Sequence, residues 1–151
     1  MKILIDGDAC SRIAVTERIA KQKRVPCHIY CDASRNIESN YSKVHIVDIG
    51  TNSADMAIIK HCDKGDIVIT NDTSLAAMAL ARTPFVMNNY GQEFTTNNIM
   101  CLLTAKYIRQ TSMRKTGKRP TKQTQELYGK AKKHASFVQT LNTLIKKAME
   151  D

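Results

Sequence analysis

The stretch that most constrains the fold of this chain is the octapeptide GDIVITND at residues 65–72. Its three consecutive apolar residues, Ile67–Ile69, are typical of a short strand that is buried on both faces, as in a parallel sheet. The residues that follow predict a helix, with Asp72 or Thr73 as its N-cap. Asp72 is therefore expected just past the carboxyl end of a central strand, the edge at which open α/β sheets bind ligands.

The same alternation of apolar runs and helix-like segments extends along the chain. Strands are predicted at 2–6, 27–31, 44–49, 66–70 and 84–88. Helices are predicted at 11–24, 54–62, 74–82 and 95–110, with caps at Ser11, Ser53 and Thr95 or Thr96, and again from Phe137 to Ala148. Residues 32–43 are expected to form a loop with room for a short helix, and 88–94 a turn. This order predicts a three-layer α/β fold, in which a mostly parallel sheet of about five strands carries helices on both faces.

Length and composition favour one soluble domain over residues 1–151. The apolar run in Met1–Asp6 is too short for a signal peptide, and no later run approaches the roughly 20 residues of a membrane span. A cytoplasmic protein with no membrane partner is expected. The five cysteines are odd in number and form no C-x-x-C pair, so they are predicted to be reduced thiols. The oligomeric state is open, with a homo-oligomer among the alternatives.

The positive charge of the chain is concentrated near its end. Residues 1–100 contain 11 Lys and Arg against 11 Asp and Glu, whereas residues 101–151 contain 12 against 3 and so account for the net charge of +9. Gly117 and Pro120 argue against a continuous helix, so 111–123 is predicted to be an exposed basic segment, followed by an amphipathic helix that docks on the domain. This segment favours a nucleic-acid partner, RNA in preference to DNA. The predicted phosphate contacts are Arg114, Lys115, Lys118, Arg119 and Lys122.

Four aspartates are predicted to meet at the carboxyl edge of the sheet. Asp6 and Asp8 follow the first strand, Asp55 lies in the first turn of a helix, and Asp72 follows the fourth strand. Like charges held together are unfavourable unless a cation compensates them, and oxygen-only ligation suits Mg²⁺ or Mn²⁺. Alternatively, Asp8, Asp55 and Asp72 each serve as a helix cap or a first-turn acid, which needs no metal.

Four motifs together resemble one bacterial family. KILIDGDAC, NSADMAIIKHC, GDIVITNDTSLAAMAL and NYGQEFTTNNI, within residues 1–110, are similar to the YaiI/YqxD family of uncharacterised proteins in the PIN-like nuclease superfamily. The resemblance implies a PIN-like fold and a divalent-metal site built from Asp6, Asp8, Asp55 and Asp72, with support from the Thr70 hydroxyl. Family members usually have alanine where this chain has Gly7 and proline where it has Ser11.

Three functions follow from these patterns. The resemblance implies a metal-dependent nuclease by analogy with the wider superfamily. IDGDAC also resembles the start of haloacid-dehalogenase-type phosphatases. In that interpretation Asp6 is the nucleophile, Asp8 is the acid and Thr70 ends the second motif strand. Against it, the late Gly-Asp motif of that family follows a strand, whereas Gly65-Asp66 precedes one. The third is a non-catalytic nucleic-acid-binding domain that uses only the basic segment.

Overall fold

Residues 1–50, 52–117 and 135–150 are described by a computed structural model of the chain. Within these ranges the strands are β1 (Ile3–Asp6), β2 (Cys27–Asp32), β3 (Lys43–Val47), β4 (Ile67–Ile69), β5 (Phe85–Met87) and β6 (Glu93–Phe94). The helices are α1 (Ile13–Lys23), α2 (Ser53–His61), α3 (Thr73–Ala79), α4 (Ile99–Thr116) and α5 (Phe137–Glu150). No helix in the described part of the chain is long and apolar enough to cross a membrane.

The six strands form one sheet in the order β3-β2-β1-β4-β5-β6. The first five are parallel, as predicted, and β6 pairs antiparallel with β5. In the centre of the sheet Ile5 of β1 lies between Ile29 of β2 and Ile69 of β4. The chain runs from β1 outward through β2 to β3 in one direction, and from β4 through β5 in the other. The carboxyl ends of β1 and β4 are therefore the switch point of the sheet, where α/β folds have their binding crevice.

Helices cover both faces of the sheet, which confirms the predicted three-layer α/β architecture. On one face α1 and α5 pack their buried residues, among them Ile19 and Leu141, against Ile5. On the other face α2 and α3 pack Ile58 and Leu75 against the strands, and the start of α4 joins them. All five cysteines are free, as expected for reduced thiols.

The predicted helix caps were wrong at the starts of α1, α2 and α4, and the N-cap of α4 is Asn98 rather than Thr95 or Thr96. The first helix begins at Ile13 after Arg12, not after Ser11, and no side chain caps it. Helix α2 includes Ser53, and its N-cap is Asn52, which has a left-handed backbone with φ of 65°. Asparagine tolerates this conformation better than most residues, so a chain reversal rather than a hydroxyl cap starts the helix.

The fourth helix differs from the prediction at both ends. It starts at Ile99 rather than at residue 95. Thr95 and Asn98 still bond to each other before the helix: the Thr95 hydroxyl accepts from the Asn98 N–H (3.2 Å), and the Asn98 side chain accepts from the Thr95 N–H (2.8 Å). It continues to Thr116 because no helix breaker precedes Gly117, which ends it in a left-handed conformation.

The start of the predicted basic segment is therefore helical. Arg114 and Lys115 are exposed in the last turn of α4, where positive charge is favourable at the negative end of the helix dipole. Lys118, Arg119 and Lys122 lie outside the described residues. Residues 33–42 form the predicted loop and contain no helix, whereas part of the predicted turn at 88–94 forms β6.

The docking of α5 depends on Gly91. This residue has φ of 93°, and a Cβ atom there would lie 2.5 Å from the Ala135 carbonyl oxygen and 2.6 Å from the Phe137 nitrogen. The Thr140 hydroxyl also donates a 2.6 Å hydrogen bond to the Gly91 carbonyl. The backbone at Gly91 is thus in direct contact with the start of the C-terminal helix.

Gly91→Ala is expected to lower the free energy of unfolding by about 3 kcal/mol, because a left-handed alanine costs about 1 kcal/mol and overpacking against backbone costs about 2 kcal/mol more. Gly65→Ala is the matched control, since Gly65 has φ of 92° with nothing within 4 Å of the added Cβ. Urea unfolding of both variants separates the two contributions. Equal losses in the two variants would show that the contact between Gly91 and α5 is not formed in solution.

Candidate functional site

The carboxyl edge at the switch point is acidic. Asp6 is the last residue of β1, Asp8 follows in the next turn, Asp72 is the N-cap of α3 directly after β4, and Asp55 lies in the first turn of α2. The structure thus places all four predicted aspartates after the strands or at the helix start that sequence analysis gave them. The charges of Asp8 and Asp72 act on Asp6, and those of Asp6, Asp72 and Asp8 act on Asp55.

Asp6 is the most buried of these residues, with 2% of its surface exposed. Its Oδ2 accepts a 2.9 Å hydrogen bond from the Thr70 hydroxyl, and its Oδ1 accepts one from the Asp8 N–H at 3.3 Å. Burial raises the pKa of Asp6, and the charges of Asp8 and Asp72 add to this, while the two hydrogen bonds oppose it. Each carboxylate oxygen accepts one hydrogen bond here and has a second lone pair for another ligand.

Thr70 connects the two central strands at this edge. Its hydroxyl donates to Asp6 and accepts a 3.0 Å hydrogen bond from the Asp72 N–H. The threonine is fully buried, so its single hydroxyl holds the carboxylate of one strand and the backbone after the other in fixed register.

Asp72 combines a structural and an electrostatic role. Its Oδ1 accepts hydrogen bonds from the N–H groups of Ser74 (2.9 Å) and Leu75 (3.4 Å), so the predicted N-cap is confirmed. The same oxygen lies 3.0 Å from the ammonium of Lys106, which also donates to the Ser74 hydroxyl at 2.9 Å. Burial raises the pKa of Asp72, but the hydrogen bond and charge of Lys106, together with the capped N–H groups, outweigh it and lower that pKa.

Asp55 has the most strongly shifted carboxylate of the site. Burial first, and then the negative charges of Asp6, Asp72 and Asp8, raise its pKa to about 6, against the opposing charge of Lys106. The helix dipole at the start of α2 would favour the ionised form by only about 0.3 to 1 kcal/mol, so burial and repulsion prevail. The pKa of Asp55 therefore lies well above the ordinary value of about 4 for an aspartate.

Asp55→Asn is expected to stabilise the protein at pH 8. The raised pKa means that the folded protein favours the protonated carboxyl group of Asp55. The stability from this protonated form is complete below the ordinary pKa of about 4. It is lost as the pH rises through about 6. Since Asp55 is only half-buried, solvent screening reduces the gain from asparagine to roughly 1 kcal/mol, or a rise of about 2 to 4 °C in Tm. Thermal unfolding at pH 4 and pH 8 measures the difference, which should vanish at the lower pH. Destabilisation of the variant at pH 8 would contradict the repulsion of Asp55 by the neighbouring carboxylates.

A second cation approaches the edge from the loop after β2. The guanidinium of Arg35 lies 3.7 Å from Oδ1 of Asp8 and donates a 3.2 Å hydrogen bond to the Asp8 carbonyl. The same carboxylate oxygen accepts a 3.3 Å hydrogen bond from the Asp32 N–H. Asp8 therefore fixes the turn after β1 to the end of β2 and carries a partly exposed ion pair.

Asn89 links the loops after β1, β4 and β5. It is 3% exposed, its amide donates a 3.0 Å hydrogen bond to the Ala9 carbonyl, and its N–H donates one to the Asn71 side chain (2.9 Å). Its Oδ1 is buried and has no hydrogen-bond partner among the described residues. A buried amide oxygen of this kind is normally satisfied by water or an ion.

The donor chemistry of this edge is that of a hard cation, but no metal cage is preassembled. Within the described ranges, no three or more histidine, cysteine, aspartate or glutamate side chains are grouped so that they could hold a metal ion. Mg²⁺ characteristically keeps several waters and binds through one or two carboxylates and the substrate phosphates. One or two of these carboxylates would be enough for an ion bound in that way, whereas the four aspartates do not enclose one.

Sequence reasoning missed Lys106, Arg35 and Asn89. Lys106 lies within the predicted helix 95–110 and meets Asp72 across 34 residues of chain. Asn89 donates to Ala9 across 80 residues. No local pattern in the sequence marks such contacts.

Comparison with known proteins gives one consistent result. The family model described as "Uncharacterized BCR, YaiI/YqxD family" matches residues 4–147. A UPF0178 protein from Clostridium kluyveri is 40% identical over 129 residues, covering 83% of this chain and 84% of the relative. UPF0178 proteins from Clostridium acetobutylicum (33% over 130 residues, 83% of this chain and 88% of the relative) and Natranaerobius thermophilus (38% over 118 residues, 78% and 80%) are also similar. No solved structure matches.

Proposed function

The chain belongs to the YaiI/YqxD family, and on that premise we propose that it is a divalent-metal-dependent nuclease that hydrolyses phosphodiester bonds, with RNA preferred over DNA. The main support is one observation: Asp6 ends β1, Asp72 follows the neighbouring strand β4, and the Thr70 hydroxyl bonds to the Asp6 carboxylate and to the Asp72 N–H. The PIN-like resemblance of the sequence is an analogy that favours the same reaction.

In this proposal Mg²⁺ or Mn²⁺ is held by Asp6 and Asp72, with Asp8 and Asp55 adding to the negative field. When bound, the ion lowers the pKa of a water ligand and compensates the charge of the phosphate. Thr70 keeps the Asp6 carboxylate oriented, because its hydroxyl donates to Oδ2. Asp55, with a pKa of about 6, is matched to accept a proton from attacking water near neutral pH.

Helix α4 supplies a path for the substrate strand from this edge to the basic region. Lys106 lies beside Asp72, and Arg114 follows it in the same helix by eight residues, which is about 12 Å along the axis. Arg114 and Lys115 are exposed at that end. The predicted contacts at Lys118, Arg119 and Lys122 continue directly from there along the chain. The carboxylates and the basic segment then have separate tasks, hydrolysis and strand binding.

A second function, nucleic-acid binding without catalysis, is favoured by a different observation. Asp72 is already paired with Lys106, and Asp8 with Arg35, so protein cations compensate two of the carboxylates. In this alternative the edge is a structural ion-pair network, and the basic segment alone is functional.

The test is cleavage of an end-labelled single-stranded RNA by purified protein in Mn²⁺ and in EDTA. Cleavage that requires the metal supports the nuclease, and a single-stranded DNA of the same sequence measures the preference. Binding of the RNA and the DNA without cleavage in any divalent metal would support the non-catalytic nucleic-acid-binding domain instead. Release of phosphate from a small monoester, with a phosphoryl group on Asp6 by mass spectrometry, would instead establish the phosphatase.

A further inference from the structure

Lys106 is the cation most closely associated with the carboxylates of this edge. Its ammonium lies 3.0 Å from Asp72 and 2.9 Å from the Ser74 hydroxyl, and its side chain is 30% exposed. Its charge lowers the pKa of Asp72 and opposes the rise in the pKa of Asp55. One lysine therefore acts on Asp72, a metal ligand in the nuclease proposal, and on Asp55, its proton acceptor.

A lysine in this position competes directly with a metal ion. An ammonium is a compact, strongly hydrated point charge on a flexible stem of four carbons, so it occupies the place beside a carboxylate oxygen that a hard cation needs. Among the described residues, the Asp72 carboxylate has three hydrogen-bond partners, all on Oδ1, and only Lys106 of these carries charge. The two backbone donors belong to the helix cap, whereas the ammonium is free to move away without unwinding α3.

The released ammonium would stay at the same edge. Its Cα is fixed in α4, within an 18-residue helix, and its stem is long enough to swing by several ångströms. A phosphate bound to a cation on Asp72 would lie beside that carboxylate and would attract the ammonium that the cation displaced. Lysine is a common phosphate ligand and acts there as a point charge.

Building on the proposed function, we propose that Lys106 neutralises Asp72 in the metal-free protein and binds a phosphate of the substrate strand once a divalent cation has replaced it on that carboxylate. Lys106 is then both a competitor of the metal and a contact of the substrate. The merely structural alternative, in which Lys106 only ties α4 to the start of α3, predicts neither property.

The first measurement is Mn²⁺ binding by calorimetry to wild type, Lys106→Gln, Lys106→Arg and Arg109→Gln. Loss of the competing ion pair should tighten Mn²⁺ binding to Lys106→Gln by about two- to fivefold, the range of one partly screened pair. Lys106→Arg keeps the charge and should stay near wild type. Arg109→Gln removes an exposed charge one turn along the same helix and should change the affinity less than about twofold, which controls for the general field.

The second measurement is the salt dependence of binding to a phosphorothioate single strand, which resists hydrolysis, with and without Mn²⁺. In Mn²⁺ the slope of log K against log salt should be smaller by about 0.7 in Lys106→Gln than in wild type, the loss of one phosphate contact. Without metal the two slopes should be equal. Lys106→Arg should restore the slope in Mn²⁺, which also guards against a folding defect in the glutamine variant.

The outcomes separate this inference from the proposed function. If wild type binds Mn²⁺ and cleaves RNA, but Lys106→Gln has unchanged Mn²⁺ affinity, the exchange is overturned and the nuclease stands. Tightened Mn²⁺ binding with an unchanged salt slope in Mn²⁺ overturns the phosphate contact. A wild-type protein that binds no Mn²⁺ overturns both.

Discussion

Asp6→Asn and Asp72→Asn are each expected to lower the rate of Mn²⁺-dependent cleavage by roughly 100-fold or more. This is the usual effect of removing a group that stabilises charge in the transition state. Asparagine has nearly the same shape but no negative charge, so it weakens metal binding without opening a cavity. The rate of RNA cleavage under single-turnover conditions is the measurement.

Both variants should remain folded, which makes a loss of activity interpretable. Asparagine is as good an N-cap as aspartate, so Asp72→Asn keeps the start of α3. In Asp6→Asn the buried group is neutral, and the Thr70 hydroxyl still has an oxygen to donate to. Asp63→Asn is the matched control, because Asp63 is exposed, precedes β4 and pairs with Lys2 at the opposite edge. Full activity in both site variants would contradict the assignment of the catalytic edge.

The second large effect concerns strand affinity. Replacing Arg114, Lys115, Lys118, Arg119 and Lys122 together by glutamine should flatten the dependence of log K on log salt by about three units, at roughly 0.7 per phosphate contact on a single strand. The reason is the charge split, since residues 1–100 are neutral overall. The metal should still bind, because no carboxylate is altered. Equilibrium binding across a salt series measures the slope.

A control with the same loss of charge is available elsewhere on the chain. The exposed cations Lys21, Lys23, Arg24, Lys60 and Lys64 can be replaced by glutamine together. Their loss should change the slope much less, because they lie in or beside α1 and α2 rather than at the end of α4. Equal slopes for the two five-fold variants would show that the basic segment is an ordinary solvated surface.

The parts of the fold that the sequence predicted are those that local chemistry determines. Ile67–Ile69 is apolar on every position because both faces of β4 are buried, and this pattern is visible in the sequence. Asp72 caps the next helix through its immediate neighbours. Five parallel strands, the positions of the four aspartates at strand ends and helix starts, and the family could therefore be predicted. The two-residue strand β6 has no period to detect, since only its pairing with β5 defines it.

The contacts that sequence reasoning could not reach are those set by tertiary packing. Whether Lys106 faces Asp72 depends on the rotation of α4 about its axis, which the packing of that helix on α3 determines. The predicted end of α4 at residue 110 is also too early, because the helix continues through the polar residues and ends at Gly117. Helix α2 starts after Asn52, whose left-handed backbone cannot be predicted from the sequence. Ser53 belongs to a residue type that caps helices well, so the sequence favours Ser53 as the cap.

The location of a bound Mn²⁺ ion tests the central claim most directly. Crystals grown or soaked in Mn²⁺ give an anomalous peak at each metal position. A peak about 2.1 Å from carboxylate oxygens of Asp6 and Asp72, with the Lys106 ammonium moved off Asp72, is the predicted result. A protein saturated with Mn²⁺ that shows no peak at this edge, with Lys106 still on Asp72, would contradict it.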